Sequence, residues 1–218
     1  MNYRLAFGDR TQPIPLELQP SWENRAEWKQ THQDRTVQVT SPKQPCGETD
    51  SLWTQERNIP IAVVTADCVP IVLIAKRSGN QNALAIAAVH AGWRGTFARI
   101  VQKTIVSINQ DLNLKLHWEA HIGPCIGDCC YDVSDEIATQ FTSEFNKSSD
   151  GYFSNSFIEH KNGRPFLNLA KVNELQLIEA GVDEITHSAL CTRCSEKRFF
   201  SYRGGDLTAR QYSGAVLL

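Results

Sequence analysis

"VVTADCVPIVL" occupies residues 63–73. Its apolar residues describe a buried strand, yet Asp67 and Cys68 interrupt the run side by side. Desolvating a carboxylate costs on the order of several kcal/mol unless the charge is paired. The interruption therefore marks a break in the strand and a place where chemistry is expected. Residues 61–65 and 70–75 read as two short strands, or one bent strand, around it.

Downstream, "RSGN" at residues 77–80 is a turn, and "ALAIAAVHA" at residues 83–91 is another buried strand ending in a histidine. "GWRGT" then opens a helix, because Phe97, Val101, Ile105, Ile108 and Leu112 fall on one apolar face. A strand near residues 116–122 leads into the loop "GPCIGDCC". A second helix carries Val133, Ile137, Phe141 and Phe145, with Asp132 as its expected N-cap. Residues 152–156 read as a polar loop. A third helix runs from near Asn168 to Gly181, which suits a left-handed C-terminal position. Short strands are expected at 184–188 and 199–202, and "YSGAVLL" reads as a strand.

Several strands precede the first helix, and strict βαβ alternation is absent. That order predicts an α+β layered fold in a single domain over residues 1–218 rather than a doubly wound parallel sheet. With 22 Lys plus Arg against 24 Asp plus Glu, the net charge is −2, and no basic field favours nucleic acid. The most apolar region is broken by Thr65, Asp67 and Pro70, too short to span a bilayer. "MNYRLAFGDR" lacks the apolar core of a signal peptide, and seven cysteines without such a signal read as reduced thiols. A cytoplasmic protein is expected.

Cys68 and His90 both lie where apolar strands give way to loops, a common address for functional groups. His32 in "WKQTHQDR" is a third candidate. One thiolate and two imidazoles suit zinc, and three protein ligands leave a fourth position for water or substrate. Against this stand simpler roles, since a cysteine at a strand end is often a small buried hydrophobe and a histidine often structural. Asp67 orients a ligand or pairs with an arginine such as Arg94. Cys191 and Cys194 have metal-knuckle or redox spacing, but no second C-x-x-C answers them. Cys125, Cys129 and Cys130 crowd one loop, for which packing is the simpler reason. Tyr202 and Arg203 set a ring and a guanidinium beside a flexible turn, suited to an anionic or planar substrate or to closing the core.

"TADCVPIVL", "AAVHAGWRGT", "IGPCIGDCCYDV" and "CTRCSEKRFFSYRGGD" resemble successive signature blocks of the laccase-domain family. Its members are also called YfiH-like proteins, polyphenol oxidases or purine nucleoside phosphorylases. The resemblance runs from about Asn24 to the C-terminus, and "TADC" with "HAGWRG" at this separation is highly specific. It implies an α/β/β/α sandwich with mixed sheets, and metal ligands at His32, Cys68 and His90. "ENR" matches a family Asn-Arg pair and makes Arg25 a pocket candidate. The sequence departs from the family pattern in three places. Gln33 replaces a glycine beside the histidine, the N-terminal segment is short and lacks the glycine-rich "GGVS" loop, and "SYRGGDLTAR" lacks a second arginine and the usual Gly-Arg ending.

The implied function is a zinc-dependent purine nucleoside phosphorylase. Its expected substrates are adenosine, inosine and, by extension, S-methyl-5'-thioadenosine, with adenosine deaminase activity beside phosphorolysis. Cys68, His90 and Asp67 are the catalytic candidates, Asp67 as an acid only if a neighbour raises its pKa. Arg25, Trp93, Tyr202 and Arg203 are the substrate-binding candidates. Partners are then a purine nucleoside and phosphate, with no nucleic acid or membrane, in a monomer or homodimer. His90 is followed by Ala91 and Gly92, so any deamination lacks the H-x-E arrangement of zinc nucleobase deaminases.

Two alternatives follow from the same residues. A copper-dependent polyphenol oxidase fits one Cys and two His, yet the only methionine is Met1 and six histidines are few for a multicopper cluster. The third reading makes Cys68 the nucleophile and His90 the base of an amide hydrolase, and the resemblance implies peptidoglycan precursors as its substrate, since some bacterial relatives are assigned a role in editing them.

Overall fold

The break at Asp67 is a crossing between two stacked sheets. The structure, a computed structural model, describes residues 1–145 and 157–218. Strands β1 (Tyr3–Phe7), β2 (Glu27–Lys29), β3 (Thr36–Gln38), β4 (Pro45–Glu48) and β5 (Ser51–Thr54) come first. Then follow β6 (Ile61–Thr65), β7 (Val69–Arg77) and β8 (Ala83–Ala91). Helices α1 (Trp93–Phe97) and α2 (Ile100–Leu112) lead to β9 (Leu116–Ile122) and α3 (Asp135–Phe145). The chain closes with β10 (Ile158–Lys161), β11 (Arg164–Leu167), α4 (Leu169–Glu179), β12 (Glu184–His187) and β13 (Gln211–Leu217).

A six-stranded sheet runs β12-β9-β7-β8-β5-β3, with β12–β9 and β3–β5 parallel and the other pairs antiparallel. A three-stranded antiparallel sheet, β1-β13-β6, lies beside it. So β6 belongs to the small sheet and β7 to the large one. Strand β7 is buried at every position but its last, as a central strand covered on both faces must be. Its Ile71 and Leu73 face a core built with Phe141, Phe145 and the buried faces of α2 and α4. Its Val72 and Ile74 pack against Ile61, Val63 and Leu217 of the small sheet. Leu18, Trp22 and the 3-10 turn Gln19–Asn24 cover the outer side of the small sheet, meeting Ala62, Val216 and Tyr212. The layers are therefore helices, sheet, sheet and one helical turn, in one domain of the expected α+β class.

Strands β6, β8 and β9 and the third helix match their sequence-derived positions. Asn168 caps α4 by accepting the Lys171 N–H at 2.9 Å, and Gly181 has a φ of +75°. Three expectations need correction. The helix after "GWRG" is two helices, because Arg99 adopts a φ of +61° between α1 and α2. Asp132 does not cap α3; it accepts the Arg203 Nη1–H at 2.8 Å, while the Ser134 hydroxyl accepts the Ile137 N–H at 3.3 Å. Residues 199–202 are irregular and not a strand, since the Phe200 and Ser201 N–H groups go to the Gln211 and Asp206 side chains. The loop expected at 152–156 lies outside the described residues. Among the described residues no helix is long and apolar enough to cross a membrane.

Candidate metal centre

Where the two sheets part, three side chains converge. Cys68 stands in the crossing just before β7, His90 near the end of β8, and His32 in the loop after β2. One sulfur and two ring nitrogens from this trio lie within 4.8 Å of one another, and the two imidazoles meet edge to face with centroids 4.7 Å apart. Register explains part of this, because β7 and β8 pair Pro70 with His90 and leave Cys68 just beyond the ladder. A proline costs little there, at the start of the strand.

Asp50 holds the group together. Its Oδ1 lies 2.6 Å from His90 Nδ1, and both residues' side chains are almost wholly buried. The same carboxylate accepts backbone N–H groups from His32 at 2.9 Å, Gln33 at 2.9 Å and Thr31 at 3.1 Å. Those bonds sustain His32 at a φ of +60°, a left-handed conformation that costs a non-glycine residue energy. The turn is thus made at His32 itself and not at Gln33, whose φ is not positive, so no glycine is needed at that neighbour. Burial alone would push the Asp50 carboxyl up, but His90 and the loop amides hold it below its ordinary value.

The same balance shapes the thiol and the imidazole. Burial would raise the Cys68 pKa, yet the facing His90 and His32 bring it down to about 6. Burial would lower that of His90, yet the Cys68 sulfur and Asp50 bring it up to about 9. Without metal, near neutral pH, the pair is therefore a thiolate and an imidazolium.

Gly92 explains the glycine of "HAGW". A Cβ there would sit 3.2 Å from both Cys68 Sγ and His32 Cδ2, so a side chain would press on two of the three converging residues. Gln30 fixes the approach, donating to the Val64 carbonyl at 2.8 Å and accepting the Val64 N–H at 2.7 Å.

The trio opens into a cavity of about 630 Å³ whose other walls include Trp93, Arg94, Tyr131, Tyr202, Arg203 and Arg210. Trp93, Tyr202 and Arg203 thus border it. Arg203 is also held, donating to Asp132 Oδ1 at 2.8 Å and lying over the Tyr131 ring. Arg25 does not line this cavity: its guanidinium stacks on Trp22 at 4.9 Å and donates to the Trp22 carbonyl. Asp67 does not bond Arg94, which lies over Trp93 at 4.4 Å. Asp67 has a φ of +91° and instead accepts the Thr192 hydroxyl at 2.6 Å and the Arg203 N–H at 2.7 Å. Its two hydrogen bonds tie the crossing to the segments carrying Thr192 and Arg203. Burial pushes the Tyr131 phenol up to about 12, aided by Cys68, so it stays a hydrogen-bond donor.

Asp50, Gln30, Tyr131 and Arg210 did not emerge from the sequence reading. Asp50 precedes the short buried strand "SLWT", whose mixed composition does not single it out.

A larger hollow of about 740 Å³ is lined by Tyr3, Lys76, Glu119 and His121 among others, but its central charges are spent on each other. Lys76 pairs with Glu119, which also accepts the Tyr3 hydroxyl at 3.1 Å.

The family model described as multi-copper polyphenol oxidoreductase laccase matches residues 15–217. A purine nucleoside phosphorylase of Clostridium acetobutylicum is 36% identical over 187 residues, spanning 85% of this chain and 73% of that protein. The YfiH purine nucleoside phosphorylase of Escherichia coli K12 is 30% identical over 199 residues, 91% of this chain and 74% of its own. An adenosine deaminase from an unknown prokaryotic organism is 31% identical over 171 residues, covering 76% of this chain and 61% of that one. The crystal structure of Bacillus licheniformis YfiH superposes with a TM-score of 0.76 at 28% identity, over 90% of this chain and 75% of that one. A match across nearly the whole sequence, relatives named as enzymes and a shared fold agree: the chain belongs to the multi-copper polyphenol oxidoreductase laccase family.

Proposed function

We propose that the protein is a zinc-dependent purine nucleoside phosphorylase acting on adenosine and inosine. The observation that carries this is the converging trio of His32, Cys68 and His90 at the floor of an open cavity. The donor set suits zinc: Zn–S is about 2.3 Å and Zn–N about 2.0–2.1 Å, which places tetrahedral donors roughly 3.3–3.8 Å apart. Ligand atoms within 4.8 Å of one another need only a small adjustment to reach that spacing. Bound there, zinc would supply Lewis-acid polarisation and a nucleophile active near neutral pH.

The chain's own groups divide the remaining work. Asp50 engages Nδ1 of His90 and leaves Nε2 as the nitrogen to bind a metal, as oriented metal ligands require. The Arg94 guanidinium makes no hydrogen bond or ion pair among the described residues, and its charge borders the cavity over the Trp93 ring, which makes it the phosphate anchor in place of Arg25. Trp93, Tyr131 and Tyr202 offer faces for a purine, and the Tyr131 hydroxyl stays protonated as a donor. Copper fits less well. The other histidines, His117, His121, His160 and His187, do not border this cavity, and Met1 lies by the other hollow.

A second reading has an observation of its own. Metal-free, Cys68, His90 and Asp50 form a thiolate, an imidazolium and an orienting acid, the arrangement of a cysteine hydrolase. Phosphate-dependent release of adenine or hypoxanthine by zinc-loaded protein tests the first reading. Chelation should abolish it and zinc restore it. Activity on amide substrates that survives chelator and dies on alkylation would transfer the assignment to the second.

A further inference from the structure

Four cysteines stand apart from this cavity's chemistry. The C-x-x-C at Cys191 and Cys194 has no second C-x-x-C in sequence, but the fold brings adjacent Cys129 and Cys130 to it. The backbone prepares the meeting: Thr192 N–H donates to the Cys125 carbonyl at 2.9 Å and Cys125 N–H to the Leu190 carbonyl at 3.2 Å. All four Sγ atoms lie within 4.8 Å of one another, and Cys194 is 3.4 Å from both Cys129 and Cys130. Four sulfurs arranged tetrahedrally around zinc stand about 3.8 Å apart, given Zn–S of about 2.3 Å. The Gly127 N–H points at Cys191 Sγ at 3.3 Å, as suits a negatively charged ligand.

Apolar packing does not account for the cluster. Cys129 and Cys194 are exposed and Cys130 and Cys191 half-buried, whereas Cys125 of the same loop is buried in the core. Nor is the arrangement pairwise, because two near contacts share Cys194. A further cluster, His117, Glu119 and Glu184, differs in kind, since Lys76 already neutralises Glu119.

We propose that Cys129, Cys130, Cys191 and Cys194 form a closed tetrathiolate zinc site, separate from the open centre at Cys68. Four protein ligands leave no position for substrate, so the site is structural. Its place in the fold gives it a task. Tyr131, next to Cys130, lines the cavity, and Thr192, next to Cys191, donates to Asp67. The ion joins the loop carrying Tyr131 to the turn carrying Thr192, and so steadies the cavity wall from outside. Binding displaces the thiol protons, and its affinity falls at low pH.

The test uses the full chain with Cys68→Ser, which removes the thiolate of the other centre. This protein should bind one cobalt tightly, with the intense near-ultraviolet thiolate-to-cobalt band and the visible bands of tetrahedral cobalt. Adding C129S and C194S should abolish those bands and lower the zinc content by one ion per chain. Unchanged spectra and zinc content in that variant would overturn the proposal. If the variant does not fold, the Cys68→Ser protein itself decides. Stepwise mercurial titration should release one zinc as four thiols react. Reaction without zinc release, or an intact mass showing a disulfide among the four, overturns it.

Discussion

Asp50 and His90 are joined twice, by Oδ1 to Nδ1 at 2.6 Å and by the His90 N–H to the Asp50 carbonyl at 2.8 Å. The paired backbones of β5 and β8 thus deliver an acid and an imidazole already in contact, and the acid also cradles the loop bearing His32. One residue outside the trio therefore sets the geometry of two of its members.

Asp50→Asn should separate this role from simple burial. An amide presents one oxygen and one NH2, whereas the carboxylate accepts on both sides, from His32 and His90 at Oδ1 and from Thr31 and Gln33 at Oδ2. One set of donors must then face an NH2. Zinc affinity, measured by competition with a chromophoric chelator, should fall about 10–100-fold. Unchanged affinity would remove Asp50 from the account of the site.

Cys68 should show its thiolate in the metal-free protein. Its folded pKa is lowered to about 6, so the thiolate persists above that value and is lost as pH falls through it. Iodoacetamide labelling of Cys68, followed by peptide mass mapping, should therefore level off above about pH 6 rather than near the ordinary thiol value of about 8.5. Saturating zinc should protect it. An inflection at the ordinary value would mean that His90 does not supply its charge.

Gly92→Ala tests packing against the ligands. The new Cβ meets Cys68 Sγ and His32 Cδ2 at 3.2 Å, tighter than usual contact, so both ligands must yield. Overpacking of this kind costs about 1–3 kcal/mol, or roughly 5- to 150-fold in zinc affinity if spent at the site. Calorimetric zinc titration reads it. Full affinity together with a lowered Tm would place the cost in the fold instead.

The central strands were legible because long apolar runs such as the one over residues 70–75 have few other places to go. Which sheet each strand joins was not, since periodicity near "VVTADCVPIVL" reports burial and not partnership. The aromatic "FFSY" reads as a strand, but side chains of Asp206 and Gln211 claim its amides and only the fold brings Gln211 there. His32, Cys68 and His90 could be named from their residue types and the family blocks. Asp50 could not, because its value lies in three amides and one imidazole from other segments. Cys129 and Cys130 were hidden likewise, their partners being a turn on the far side of α4.

Asp67→Asn addresses the acid at the crossing between the two sheets. Asp67 carries no contact to the sulfur or imidazoles in its hydrogen bonds; it accepts Thr192 Oγ1–H and Arg203 N–H on separate oxygens. An asparagine keeps one acceptor and turns an NH2 toward the other donor, at a cost of about 1–3 kcal/mol. If Asp67 only positions the wall, Tm should fall by that equivalent while zinc per chain stays unchanged. Apparent KM for nucleoside should rise more than kcat falls, because Tyr202 and Arg203 shift with the turn. If instead Asp67 gives the leaving base its proton, kcat should collapse and the basic limb of its pH profile should vanish, with the same fall in Tm. The kinetic measurements separate the two outcomes, so one variant decides between wall and acid.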